Sequence, residues 1–132
     1  GEVSTMEGIF AGATQFNANL ENWDVSSVAT FTNMFNGATN FNRNLAAWNL
    51  VSATNMEGML DNSGLSIIKY VLMLNEWSQN AGLPSNITLG VEGLRYCYKK
   101  GRETLINNKN WDFTGDVKDC SNQFVSIWKT HN

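Results

Sequence analysis

The chain has 132 residues, one domain's worth by length, and its 42% hydrophobic and 11% aromatic residues supply a sizeable core. Only 16% of residues are charged, asparagine is over-used instead, and a net charge of −3 with a pI near 5.0 argues against nucleic acid or an anionic membrane surface as the main partner, because both select for basic patches. No stretch approaches the roughly 20 apolar residues of a membrane span; the longest apolar run, IIKYVLML, is broken by Lys69. No signal peptide opens the sequence, and Gly1 reads as a cut made inside a longer protein, which would leave any targeting segment outside it.

From the N-terminus, the chain says one thing twice. FNANLENWDV from Phe16 returns as FNRNLAAWNL from Phe41, 25 residues later. Met6, Phe31 and Met56 fall in line, as do Ile9, Met34 and Met59, and GAT follows at both Gly12 and Gly37. A period of this size marks stacked repeat architectures. Within a unit, Val28, Phe31, Met34 and Phe35 have the spacing of one helix face, which Ser26 or Ser27 can cap and Gly37 can end. Trp48 and Leu50 then alternate with Ala47, Asn49 and Val51, which predicts a strand with one buried face, and Trp23-Asp24-Val25 predicts the same one repeat earlier. One unit cannot cover its own apolar face, so the next must. Asn17 and Asn19, matched by Asn42 and Asn44, are expected to hydrogen-bond turn backbone in their own or the following repeat.

Strict repetition stops near NSGLS. Ser66 then caps a predicted helix with Ile67, Val71, Leu74 and Trp77 on one face, stopped by Gly82 and Pro84. Ile87-Thr88-Leu89 predicts a strand, a helix follows near Arg102 to Asn108, and Trp111-Asp112-Phe113 predicts a last strand. The expectation is an α/β protein: a solenoid of helix–turn–strand units like leucine-rich repeats, with a short four-stranded parallel sheet. Residues 1–62 form tandem repeats, 63–120 irregular repeats making a C-terminal cap, and 121–132 a tail or the start of a following module. The alternative is a separate small α/β unit over 64–120.

Cys97 and Cys120 have no metal-like spacing and suggest a disulfide in an exported protein, worth about 3 kcal/mol for a loop of this size. Two free thiols in a cytosolic protein are the alternative. The single histidine, His131, sits two residues from the end, so Ser/His/Asp and Cys/His sets fail, and no phosphate-cradling glycine motif occurs. Asp24 and Asp112, with two strands between them, would lie about 14 Å apart at about 4.8 Å per strand, too far for a glycosidase pair. Asp112, Asp116 and Asp119 could hold calcium with backbone carbonyls, but their spacing matches no EF-hand loop.

MEGIFAGATQFNANLENWDVSSV from Met6 and FTNMFNGATNFNRNLAAWNLVSA from Phe31 resemble the repeats of BspA-type leucine-rich-repeat surface proteins of bacteria, with Ile9 and Phe31 as mild departures. The stretch from Leu83 to Cys120 resembles the cap that ends such arrays, and FVSIWKTHN resembles the opening of a following module. The resemblance implies a leucine-rich-repeat-like fold, an extracellular or cell-surface location, a role in binding or adhesion, and no catalytic residues.

The expected activity is therefore non-catalytic, without cofactor or metal. The expected partner is an extracellular protein or glycan, bound by a monomer within a larger chain that inserts nothing into a membrane. The residue between two inward side chains on each strand should face outward, making a column of Asp24, Asn49, Thr88 and Asp112, with Glu21 and Asn22 flanking it. A carbohydrate-recognising accessory module of a secreted enzyme and a ligand-free spacer are the competing readings. The repeat puts Trp23, Trp48 and Trp111 at core positions and Trp77 on a buried helix face; only Trp128 is free by position, so a sugar-stacking row is not expected.

Overall fold

The computed structural model describes residues 3–121. It is a mixed protein of helix and short parallel strands, in the order α1 (Ile67–Ser78), β1 (Thr88–Gly90), β2 (Arg95–Tyr96), α2 (Lys100–Lys109), β3 (Asp112–Thr114) and β4 (Val117–Lys118). β1 pairs in parallel with β3, and β2 with β4.

Before residue 67 the described chain holds no helix, although Val28, Phe31, Met34 and Phe35 are all fully buried as their spacing requires. The expected repeat helix is corrected by where its backbone N–H groups go. Those of Phe31, Asn33, Phe35 and Gly37 donate to the carbonyls of Asn55, Glu57, Met59 and Asp61 in the next repeat, at 2.8–3.0 Å. Those of Met6, Gly8, Phe10 and Gly12 donate likewise to Thr30, Thr32, Met34 and Asn36. A helix would spend these donors on carbonyls four residues back. Two positions per repeat also take a left-handed backbone: Gly8, Asn33 and Gly58 at one, Gly12, Gly37 and Asn62 at the other, with φ between 56° and 81°. Glycine and asparagine are the residues that reach this region at low cost.

The expected strands at Trp23–Val25 and Trp48–Leu50 are corrected as well, for both are short irregular links between two tight turns, closed by Trp23 N–H to Leu20 O and Val28 N–H to Val25 O in one repeat and by Trp48 N–H to Leu45 O and Ala53 N–H to Leu50 O in the next. Parallel bridging occurs instead at Thr5–Thr30, Thr30–Asn55 and Met56–Leu89. The last of these carries the repeats into β1, so the four-stranded sheet expected from Trp–x–apolar triplets is replaced by two two-stranded sheets and this file of bridges. One core runs without a break from Met6 to Trp111.

The later elements follow their sequence signals. Ser66 caps α1, its hydroxyl accepting from Lys69 N–H, and Tyr70, Val71, Met73, Leu74 and Trp77 are buried. α2 ends on Asn110 in a left-handed conformation. Gly101 lets α2 approach α1, its N–H bonding Asn75 Oδ1; a Cβ there would come within 2.7 Å of Asn75 Cα. Cys97 and Cys120 form the disulfide, with Cα atoms 4.8 Å apart, tying the segments after β2 and β4. Under this clasp, Asp116 accepts from Arg102 Nε and Nη2, both at 2.8 Å, and from Tyr70 Oη at 2.7 Å. Burial, and then the Asp116 charge beside it, pushes the Tyr70 phenol well above its ordinary pKa.

The asparagines divide their work as expected. Asn17 Oδ1 accepts from Asn42 N–H, and Asn42 Oδ1 from Ser66 N–H, each across to the next segment. Asn19 and Asn44 instead accept from backbone two residues on, at Glu21 and Ala46. The tail expected over 121–132, with Trp128 and His131, lies from residue 122 onward outside the described residues.

Candidate functional site

The bridge file sets one side chain per layer on a common outer row. Thr5, Thr30 and Asn55 are bridged in turn, the Met56–Leu89 bridge puts Asn55 beside Thr88, and Thr88 is the register partner of Asp112. Two residues further on, Glu7, Thr32, Glu57, Gly90 and Thr114 follow in the same order. Between the rows, Met6, Phe31, Met56 and Leu89 are buried and Phe113 packs against the core. This alternation is the two-residue period of extended chain. Neither row contains a lysine or arginine. A cavity of about 120 Å³ opens where the regular repeats meet β1, lined by Thr54, Asn55, Met56, Glu57, Asn86 and Thr88. The surface so formed offers hydroxyls, an amide and carboxylates on a backbone hydrogen-bonded from each layer to the next.

Of the expected column, the structure brings Thr88 and Asp112 side by side and sends Asp24 and Asn49 elsewhere. These two are exposed turn residues whose side chains accept from backbone two residues on, Asp24 from Ser26 N–H and Asn49 from Val51 N–H. The Ser26 hydroxyl also donates to Asp24 at 2.6 Å, and these two bonds hold the Asp24 carboxyl below its ordinary pKa. Asn49 Oδ1 lies 3.4 Å from Asn80 Nδ2 in the segment after α1. Glu21 and Asn22 are exposed on the turn before Trp23, with Glu21 Oε1 3.4 Å from Asn19 Nδ2. The true partners of Thr88 in the repeats, Thr5, Thr30 and Asn55, were missed because their segment carries helix-like apolar spacing. A signal for them exists: polar–apolar–polar triplets at Thr5–Glu7, Thr30–Thr32 and Asn55–Glu57 recur at the same period.

The tryptophans need one correction. Trp48, Trp77 and Trp111 are 3%, 1% and 3% exposed, and each indole N–H donates to a buried-side carbonyl, of Leu20, Leu45 and Pro84 respectively. Trp23 is 40% exposed, although it shares Trp48's place in the repeat. Trp48 lies over Phe31 and Phe35 and reaches back to the previous repeat, whereas Trp23 has no earlier repeat among the described residues to reach. Asp116 is committed to Arg102 and Tyr70, and among the described residues no group of three or more His, Cys, Asp or Glu could hold a metal ion. No helix among the described residues is long and apolar enough to cross a membrane.

These features define a tandem-repeat protein whose repeats are joined by parallel backbone hydrogen bonding and closed by a disulfide-tied α/β segment. The family model described as Mycoplasma protein of unknown function, DUF285, matches residues 1–79, more than half of the chain, and the chain belongs to that family. No curated protein and no solved structure matches it.

Proposed function

We propose that this chain is a non-catalytic binding module of the cell surface or the secreted space, built as a leucine-rich-repeat-like solenoid, that holds an extracellular protein or glycan on its outer polar rows. One observation carries the reading: Thr5, Thr30, Asn55, Thr88 and Asp112 succeed one another in bridged register with their neighbours turned inward. Donors and acceptors at about 4.8 Å intervals on a rigid backbone suit an extended, polar partner. The Cys97–Cys120 disulfide supports an oxidising compartment. The resemblance to BspA-type repeats supports the same assignment. A sugar-stacking module has less support, since the indole N–H groups of Trp48, Trp77 and Trp111 are all engaged inside.

The test is a binding screen against panels of glycans and extracellular matrix proteins, followed by variants. Thr30→Arg with Asn55→Arg should lower affinity for any ligand found by at least tenfold, a loss of about 1.4 kcal/mol. Asp24→Ser with Asn49→Ser should leave it within about twofold. Loss of binding only in the second pair would move the ligand to the turns, full retention by both would place it off both surfaces and refute the row as the site, and no ligand in either panel would leave the module a spacer.

A further inference from the structure

Charge is unevenly spread along this chain. Residues 1–62 hold six Asp and Glu against one Arg, a net of −5, and residues 63–132 hold eight Lys and Arg against six Asp and Glu, a net of +2. Among the described residues the ion pairs are Arg95–Asp119, Lys99–Glu103 and Arg102–Asp116, all beyond the regular repeats. The carboxylates of the outer rows, Glu7, Glu57 and Asp112, are exposed and have neither an ion pair nor a side-chain hydrogen bond among the described residues. Lys109 comes up to this surface only through its carbonyl, which accepts from Asn86 N–H at 2.8 Å, while its ammonium turns to the Ala81 carbonyl at 3.3 Å.

The three open carboxylates fall on alternate layers. Glu7 and Glu57 stand in one row, in the first and third layers, and Asp112 stands in the other row, in the fifth. At about 4.8 Å per layer, successive carboxylates are about 10 Å apart along the rows, with Asp112 about 7 Å to one side. That is too far for them to share one ion, and among the described residues no three acidic groups meet to hold a metal. It is, however, the reach of three residues of extended chain at about 3.3 Å each. Beside the middle carboxylate opens the cavity of about 120 Å³. There Asn55 Oδ1 accepts from Glu57 N–H and Asn86 Oδ1 from Asn110 Nδ2, which leaves the Glu57 carboxylate and the Thr88 hydroxyl open. Sulfated and uronic-acid glycans carry the same sign as these rows and are repelled. An extended polypeptide can bring cations at this spacing and its own N–H and C=O groups to the threonines and asparagine between them. One exposed ion pair is weak, but three engaged by a single segment reinforce one another.

We propose that the outer polar rows take an extended cationic polypeptide segment with lysine or arginine at every third position, its charges on Glu7, Glu57 and Asp112 and its middle side chain ending in the cavity between Asn55 and Thr88. This rests on the reading of the rows as the binding face and adds the charge and spacing of the partner.

The probe is a peptide of Lys-Thr-Ser repeated three times and capped at both ends, titrated into the ¹⁵N-labelled chain and followed by amide shifts in nuclear magnetic resonance. The shifts should gather at Glu7, Glu57, Thr88 and Asp112, and the affinity should fall as salt rises, because exposed charges are screened. Glu7→Gln with Glu57→Gln and Asp112→Asn should weaken binding at least fivefold. Glu21→Gln with Glu76→Gln and Glu103→Gln, which removes the same charge away from the rows, should change it less than twofold. A peptide of the same composition with its lysines adjacent should bind at least threefold more weakly. Equal loss in the two triple variants, equal binding of the two peptides, or shifts gathered elsewhere would each overturn the proposal. A ligand from the screen that Thr30→Arg with Asn55→Arg displaces, but that the row triple leaves bound, would overturn the cationic partner while keeping the row as the site. Retention of that ligand by both sets would instead remove the row itself.

Discussion

Trp23 and Trp48 occupy one position of the repeat, and their burial differs enough to be measured. In Trp48→Ala a side chain that is 3% exposed is removed from between Phe31 and Phe35, a change that costs about 3–5 kcal/mol in a core that relaxes only in part. Loss of the indole bond strands the Leu20 carbonyl and adds about 1 kcal/mol. Trp23→Ala removes a ring that is 40% exposed and has no indole hydrogen bond among the described residues, so only the part of its area already covered is lost, about 1–2 kcal/mol. The two variants should therefore differ by at least about 2 kcal/mol, or roughly 8 °C in Tm for a chain of this size. Urea unfolding followed by circular dichroism measures this as a shift of midpoint at constant slope. Equal losses from the two substitutions would refute the reasoning, since they would mean that the first repeat is as well covered as the second.

Four further outcomes concern the segment after the repeats. Asp116→Ala leaves the Arg102 guanidinium, whose side chain is 17% exposed, and the Tyr70 phenol without their shared acceptor, and should lower unfolding free energy by about 3 kcal/mol in urea titrations, whereas Tyr70→Phe should cost about 1 kcal/mol. Because the folded state raises the Tyr70 pKa, its contribution is fully present below the unfolded value near 10 and is lost as pH climbs above it; alkaline denaturation should steepen there, and Tyr70→Phe should remove that component. Cys97→Ser with Cys120→Ser opens the loop between β2 and β4 and should lower the stability measured by thermal unfolding by about 3 kcal/mol, with reductant adding nothing further. Gly101→Val pushes a branched side chain against Asn75 on α1 and should cost about 2–3 kcal/mol, read as a lower urea midpoint.

Much of the interior was legible residue by residue. The 25-residue period picks out Val28, Phe31, Met34, Phe35, Trp48 and Leu50, all buried. Local rules place Ser66 at the start of α1, Thr88 and Asp112 in strands, and both cysteines in one bond. Apolar spacing at three and four residues, however, is shared by a helix and by a string of tight turns that returns the chain to one side. The two differ in whether N–H groups bond within the segment or to a neighbour, a choice that the apolar spacing does not record and that only the short triplets at Thr5–Glu7, Thr30–Thr32 and Asn55–Glu57 hint at. Reading Phe31–Gly37 as helix moved the expected strand to the tryptophan segment, and with it half of the proposed ligand column.

The amino-acid order by itself determined which side chains leave water, how often the pattern recurs, and where glycine and asparagine permit a left-handed backbone. Only the tertiary structure decided that Thr5, Thr30 and Asn55 continue the row of Thr88 and Asp112, and that Trp23 remains open where Trp48 is closed. The reason is that backbone donors choose between partners four residues away and partners a whole repeat away, and that choice is settled by what lies alongside.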